Sequence, residues 1–582
     1  MAKKFSTPGI TLTEKDISQV VSPAGTSVGL IVGKATKGIA HTRALMTSGK
    51  EVIATFGTPI SSATSDFGIY GALQFLQESN AMYFTRALNG DEAYSNAYFP
   101  VSTQTNTYSA VSATTVTAWG TSAYTTGALE ADEANDIAVL DAFGPSDIAT
   151  SGGSLLIASI GPGVYGNNVG VSLQTCATSY STTTSSNSAD WAWSYDTPEA
   201  DGTPSSASDA IWKKIIKINV YVRTTSSDAF STTPIETFYG TIGNNLAPDG
   251  SQLNITQIIN GVSKYIYVTP VNMTSGLVME QNNVRALANG ADTTSEVGVT
   301  NITGGLDFYT DKEKVSMNIV IGTYKNNDVN DKIGTLTNGR KDCIGTIQIG
   351  TSTELTPSTL IGYSNGNSFS SPSYLAKYVG WSLVYDSYSD IKLYIPNSIF
   401  GASVMAKTDN VANTWNAPAG INRGILPVLG QNVKFNDIQI GQLYDANLNT
   451  VKFIKGYGNV LWGQRTAQRT VSALREIAVR RMLLLVEGTI EPGLLPFVFE
   501  PNVDSVRLRI FSIIDNFLSQ IKAGGGLDDY NVVVDDSNNS AQDKDNNVLN
   551  VDIYVQPART IEFINVQVVI TRSGISLAEV TV

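Results

Sequence analysis

Residues 502–534 read NVDSVRLRIFSIIDNFLSQIKAGGGLDDYNVVV, and this stretch decides the fold class. Val506, Ile510, Ile513, Ile514, Phe517 and Ile521 recur at the three- and four-residue spacing of one helix face. Asn502 or Asp504, just after Pro501, is the candidate N-cap, and Gly524-Gly525-Gly526 is a strong stop. A strand is predicted at Asn531–Val534. Upstream, Val471, Leu474, Ala478, Met482 and Leu485 repeat at helical spacing and predict a first helix. Downstream, the polar loop DDSNNSAQDKDNN (535–547) separates that strand from two more, at Val548–Val555 and Thr560–Ile570. Two amphipathic helices on a small sheet make a compact α/β unit.

The same alternation of element types appears far upstream. Val28–Val32 (VGLIV) and Met82–Thr85 read as short apolar strands, with a helix over Tyr70–Glu78 between them. Met317–Ile321 and Ile344–Ile349 again read as buried strands, so a core resumes after a long interruption. That pattern predicts an insertion into a loop of a parent domain. Within the interruption, residues 87–212 hold no Lys or Arg but thirteen Asp or Glu, and Ser and Thr are abundant. Trp119, Trp191, Trp193 and Tyr195 argue against disorder, which is poor in aromatics, and Ile215–Arg223 alternates like a strand. The expected class is therefore α/β (α+β) and multidomain. Its expected parts are an extended arm over 1–22, a discontinuous α/β middle domain over 23–95 and 311–455, and one or two β-rich inserted domains over 96–310. An α/β domain over 456–572 and a strand arm over 573–582 complete the chain.

Composition excludes whole classes of function. The 582 residues carry 38 Lys and Arg against 51 Asp and Glu, a net charge of −13, which opposes a general nucleic-acid or anionic-membrane binder. Cys176 and Cys343 are too few and too far apart for a zinc cluster or a disulfide framework, and read as buried reduced thiols. His41 is the only histidine, a poor endowment for acid–base or metal chemistry. The opening MAKKFSTPGITLTEKDISQ has no apolar stretch of a signal peptide, and no apolar run approaches the ~20 residues of a spanning helix. Neither enzyme activity nor a cofactor nor a metal is expected, and folding is expected in a cytosol.

Three catalytic patterns match in spelling and fail in context. Gly161-Pro162-Gly163-Val164-Tyr165-Gly166 satisfies G-x-G-x-x-G after a strand (Leu155–Ile160), but Asn167–Leu173 then reads as a strand. A dinucleotide site needs a helix there, so a turn is the better reading. Gly362-Tyr363-Ser364-Asn365-Gly366 matches the G-x-S-x-G elbow without the later histidine base that elbow requires, and reads as a loop. Asp543-Lys544-Asp545-Asn546-Asn547 opens like a calcium loop, yet Val548 and Tyr554 stand where Gly and Glu belong.

The termini carry a different signal. Gly9-Ile10-Thr11-Leu12-Thr13 alternates apolar and polar, as does Ile575-Ser576-Leu577-Ala578. A lone strand must pair with a sheet edge, its own or a neighbour's. Ile10, Leu12, Ile575 and Leu577 are therefore the candidates for strand exchange between subunits. At about 3.3 Å per residue, the nine residues from Ile10 reach roughly 30 Å.

With these elements placed, the chain resembles the contractile-tail sheath proteins of bacteriophages. STPGITLTEKDIS followed by AGTSVGLIVGKATKG resembles the family opening. SGKEVIATFGTP and YGALQFLQESNAMYFTRAL resemble its next unit, GPGVYGNNVGVSL its P-G-x-x-G-N turn, and NTWNAPAGINRGIL its W-x-A-P-A-G segment. GNVLWGQRT and the 502–534 stretch carry the rest, so the resemblance covers roughly 1–95 and 310–582. It implies a structural subunit of the virion tail, assembled in the host cytoplasm. Such subunits polymerise as stacked hexameric rings around a tail tube above a baseplate, and contract from a metastable state to drive the tube through the host envelope. The implied partners are further copies of the chain, the tail tube protein, and baseplate and tail terminator proteins, with no nucleic acid and no direct membrane insertion. The C-terminal domain would lie against the tube, with Arg507, Arg509 and Lys522 facing an acidic tube surface. The sheath of a tail-like bacteriocin or contractile injection system is an alternative, and a surface-array or adhesin-type β protein is the rival from another class.

Overall fold

The computed structural model describes residues 27–59, 67–89, 92–100, 116–117, 154–175, 195, 211–271, 281–292, 297–324, 326–354, 356–366 and 373–566. The chain divides into two compact units. One holds Gly25–Val411 and Pro418–Ile477, and the other holds Ala412–Ala417 and the chain from Ala478.

The larger unit begins with strands β1 (Val28–Gly33) and β2 (Ala44–Met46), helices α1 (Gly49–Phe56) and α2 (Gly68–Phe75), and strand β3 (Ala81–Arg86). Ser48 caps α1 by accepting from the Glu51 amide, while the Glu51 carboxylate accepts from Thr47. The interrupting segment forms β4 (Ala93–Tyr94), β5 (Asn96–Pro100), β6 (Val116–Thr117), β7 (Ser154–Ser159), β8 (Val169–Thr175), β9 (Ile216–Val222) and β10 (Glu236–Gly240). Helix α3 (Ile255–Ile259) and strands β11 (Ile266–Val271) and β12 (Gln281–Ala286) follow, then α4 (Val299–Asp307). Here antiparallel sheets of order β10-β9-β8-β12 and β11-β7-β5 share one core, in which Val171, Leu173, Ile218 and Val220 meet Leu155, Ile157 and Val268.

Beyond that segment come β13 (Ile319–Ile321), α5 (Asn327–Arg340), β14 (Ile344–Ile349), α6 (Pro357–Gly366) and β15 (Leu375–Val379). The central sheet has the order β15-β14-β13-β1-β3-β2, so strands from both sides of the interruption share it, parallel except for β2. Its strands are buried along almost their whole length because helices cover both faces. Leu30, Val32 and Val320 pack with Leu306, Ile333 and Leu336 of α4 and α5. Ile31 lies under α2, where a side chain at Gly71 would meet it together with Ile399. The remainder of the unit is β16 (Trp381–Asp386), β17 (Ile391–Pro396), α7 (Asn397–Val411), β18 (Gly430–Gln431), α8 (Asp437–Asp445), β19 (Thr450–Ile454) and β20 (Gly458–Trp462).

The glycine-rich turn that mimics a nucleotide motif joins the two sheet systems. Val164–Asn168 is a short 3-10 turn that runs directly into β8. Arg86, fully buried at the end of β3, donates to the carbonyls of Ala35 (3.0 Å), Gly38 (2.7 Å) and Pro162 (2.8 Å). A side chain at Gly161 would collide with the Gly38 carbonyl, so glycine is required by close backbone approach.

The smaller unit contains α9 (Ile477–Leu494), α10 (Asp504–Ala523), β21 (Leu527–Val533), α11 (Ala541–Asp545) and β22 (Asp552–Pro557). Five expectations need correction. The first helix starts at Ile477, and Val471 is 87% exposed, because Thr466 and Arg475 bond to each other and hold this stretch as a loop. Val503 is the N-cap of α10 and has no side-chain cap bond, since Asn502 accepts from Arg507 instead. The loop 535–547 contains α11, capped reciprocally by Ser540 and Asp543. Residues 362–366 end α6 rather than form a loop. Residues 561–566 carry no strand, and the rest of Thr560–Ile570 beyond Val566 lies outside the described residues.

Candidate assembly interface

In the smaller unit, Met482 and Val486 of α9 and Ile510, Ile514, Phe517 and Ile521 of α10 pack on Leu527 and Val532 of the hairpin. Trp415 is the link from the middle of the chain. Its indole donates to the Gly524 carbonyl at 3.0 Å and lies so close to Gly524 and Gly526 that a Cβ at either would overlap the ring. The glycine run is thus a packing surface as well as a helix stop.

Strands β21 and β22 pair antiparallel, Tyr530 opposite Val555 and Val532 opposite Ile553. Among the described residues each has one ladder neighbour, so both outer edges present unpaired backbone groups. The chain then continues through Ile561, Phe563, Ile564 and Val566, exposed at 78%, 79%, 78% and 79%. Four large apolar side chains within six residues, left in water beside an open hairpin, mark an interaction surface.

The loop beyond β21 is tied to itself. Asn538 donates to the Val533 carbonyl (2.9 Å), Asn539 to the Asn550 carbonyl (3.0 Å), and the Asn550 amide to Asn539 Oδ1 (2.6 Å). Asp536 accepts from Lys544 Nζ (2.8 Å) and Arg507 Nη1 (2.7 Å), and these bonds hold its carboxyl below the ordinary range.

The residues chosen from sequence fare unequally. Ile10, Leu12, Ile575 and Leu577 lie outside the described residues. Arg507 is 4% exposed and spent inside the unit, on Asp536 and, through Nε, on Asn502 at 2.8 Å; this removes it from the surface assigned to it. Arg509 is exposed, its guanidinium 5.4 Å from the Phe497 ring centre. Lys522 is exposed and paired with Asp529 at 2.8 Å, which raises the pKa of the ammonium. Thirteen residues of helix separate Arg509 from Lys522, about 20 Å along the axis, so the structure does not gather them into one patch.

Sequence reading missed the corner between α9 and α10. Leu495, Val498, Phe499, Val503 and Leu508 are exposed there, and Phe499 is fully exposed with a left-handed φ of 74°. The apolar run LLPFVF (494–499), off helical spacing and bounded by Pro501, was the available signal. Sequence reading also missed the buried partner of Ser364. Lys377, 2% exposed on β15, donates to Ser364 Oγ at 2.7 Å, and burial together with the charge of Arg469 pushes its pKa down to about 8. His41 is pushed down to about 3 by burial and by Arg86, so it stays neutral through the physiological range. Cys343 is fully buried and its thiol pKa is raised, while Cys176 lies outside the described residues. Among the described residues no cluster of His, Cys, Asp or Glu is arranged to hold a metal, and no helix is long and apolar enough to cross a membrane.

Residues 470–571 match the family described as the phage tail sheath C-terminal domain. The tail sheath protein of Enterobacteria phage T4 is 28% identical over 342 residues, 55% of this chain and 51% of that protein. The tail sheath protein of Vibrio phage KVP40 is 35% identical over 199 residues, 34% of this chain and 29% of that protein. The chain thus spans about half the length of the T4 relative and less of the other. Among solved structures, the sheath tail protein of Desulfitobacterium hafniense aligns with 95% of this chain and 98% of its own, at a TM-score of 0.52 and 9% identity. That likeness is one of fold: mixed α/β and multidomain. The resemblance to tail sheath proteins read from the sequence is met by relatives that carry that name.

Proposed function

We propose that the chain is the structural, non-enzymatic subunit of a contractile tail sheath. It polymerises as stacked rings around a tail tube in the virion, and contracts to drive the tube through the host envelope. The terminal strands around Ile10, Leu12, Ile575 and Leu577 add to the β21–β22 hairpins of neighbouring copies, so that the lattice stays joined while rigid units change their packing. The observation that carries this reading is the hairpin with both edges open among the described residues, followed by Ile561, Phe563, Ile564 and Val566 in solvent. The contracted packing is the lower in free energy, and a kinetic barrier rather than a fuel holds the extended state. Arg509 and Lys522, both exposed, remain the side chains that meet an acidic tube surface.

Negative-stain electron microscopy of the purified chain tests the reading. Hollow, cross-striated tubes are the expected result, and truncation after Arg559 should leave monomers with the melting temperature of the parent. A full-length chain that stays monomeric at every concentration and salt, or a truncated one that still forms tubes, would overturn it.

A further inference from the structure

The glycine-rich turn over 161–168 lies at the passage between two cores of the larger unit. Ala97 and Leu287 belong to the core of the inserted sandwich, Ala87 and Val297 to the core on the α4–α5 face of the central sheet, and these two cores have no residue in common. The chain leaves one for the other between Ala87 and Ala97, and returns between Leu287 and Val297. The two passages pair with each other: the Asn96 amide donates to the Ala288 carbonyl at 2.9 Å, and the Ala288 amide to the Asn96 carbonyl at 3.1 Å. Asn167 ties the turn to both. Its Oδ1 accepts from Ser95 Oγ (2.8 Å) and from the Gly290 amide (2.9 Å), and its Nδ2 donates to the Gly290 carbonyl (3.0 Å). The Val164 amide donates to Asp292 Oδ1 at 3.0 Å. From the central sheet comes Arg86, whose bonds join the loop after β1, at Ala35 and Gly38, to the turn at Pro162. Lys37 of that loop lies 4.8 Å from the ring centre of Tyr165.

We infer that this turn, gripped by Arg86, is a latch that couples the inserted sandwich to the central sheet as one cooperative body, so that any rotation of the sheet carries the insert with it. Two cores joined by chain passages alone open separately and swing about those passages. Here a buried guanidinium bonds three carbonyls from two chain segments, and such bonds fix angle as well as distance. Arg86 is only 1% exposed, so the joint cannot loosen without stranding a buried charge. Close backbone approach tightens it further. A side chain at Gly161 would collide with the Gly38 carbonyl, and one at Gly163 with Asp292 Oδ1. The spelling that imitates a nucleotide motif thus has a mechanical reason, and the coupling does not depend on polymerisation.

Native-state hydrogen exchange of the full chain in low urea reads the coupling. In the wild type the slowest amides of β8 and β9 in the insert and of β1 and β3 in the central sheet should converge on one opening reaction with one urea dependence. R86M removes the three bonds, and exchange in β8 and β9 should then run about a hundredfold faster than in β1 and β3. G161A keeps Arg86 and its charge but drives the turn off the Gly38 carbonyl, and it should separate the two sheets in the same direction. A merely destabilising substitution would speed both sheets alike. A wild-type insert that opens apart from the central sheet overturns the inference. So do variants in which the two sheets still exchange together, whether at the parent rate or faster.

Discussion

The central sheet and the C-terminal hairpin treat their edges in opposite ways. The outer edge of β15 is closed by later chain: the Asn449 amide donates to the Lys377 carbonyl, Val379 donates back to Asn449, and Ala467 donates to Leu375. At the other edge β2 is only three residues long, too short to template a partner. The hairpin β21–β22 has neither protection among the described residues, and exposed Ile561, Phe563, Ile564 and Val566 follow it. One sheet is finished by its own chain, and the other has no such closure among the described residues. In the polymerising subunit proposed above, that division separates the part that must fold alone from the part that must join.

The largest expected effect follows from the open side. Phe563→Asp with Ile564→Asp should abolish polymerisation while shifting the melting temperature very little, because side chains already in water lose no burial on substitution. Light scattering beside a thermal melt reads both quantities. A large drop in melting temperature would mean that this segment is packed within its own subunit, and the contrast between the two sheets would fail.

Next is the closed side. Asn449 is fully buried, and its carboxamide donates to the carbonyls of Lys377 (3.0 Å) and Arg465 (2.8 Å) while accepting from the Arg465 amide (2.7 Å). Asn449→Ala removes all three bonds and strands buried backbone groups, a loss of roughly 3 kcal/mol. The backbone bonds that close β15 survive the substitution, so denaturant unfolding should show the destabilisation while prolonged storage shows no new aggregation.

How much of this contrast the sequence carried depends on what each region buries. The runs VGLIV, IVI and IGTIQI are legible as strands because a parallel sheet covered on both faces needs unbroken apolar stretches. Helix α6 was not, since Gly362, Asn365 and Gly366 are poor helix formers, and buried Leu360 and the Lys377–Ser364 bond hold it there. Val471 and Leu474 share helical spacing with α9 by coincidence, and long-range bonding to Thr466 overrides it. The burial of Arg507 was present in the pattern but passed over: 507, 510, 514, 517 and 521 step by three and four along one buried face. The grip of Arg86 on Gly38 and Pro162 had no local signal, because tertiary folding alone brings the loop after β1 to that turn.

A third effect is set by pH at the closed edge. An unfolded lysine keeps its proton to near pH 10.4, while buried Lys377 releases it near 8. Between those values the unfolded chain binds more protons, so stability rises with pH across the window and is level with respect to this group below about 8. Lys377→Met should flatten that rise, changing the difference between variant and parent by on the order of 2 kcal/mol from pH 7.5 to 10.5. A parallel pair of pH–stability curves would show that Lys377 is an ordinary solvated lysine and that the β15 edge is wetter than its burial implies.

The smallest effect probes the loop at the open end. Ser540 accepts from the Asp543 amide (3.2 Å), and Asp543 accepts from both the amide (2.8 Å) and the hydroxyl (2.6 Å) of Ser540, closing the capping box of α11. Ser540→Ala should cost about 1 kcal/mol at most of global stability. Its local consequence is larger than that figure suggests. Helix α11 is only five residues long and buries no side chain, so the cap and the Asn538–Asn539–Asn550 bonds are what hold the loop in one form. Hydrogen exchange at 541–545 should therefore accelerate while exchange in α10 stays unchanged. If both speed up together, the loop and the packed helix open as one unit, and the hairpin is braced from its acidic side as firmly as the central sheet is braced at β15.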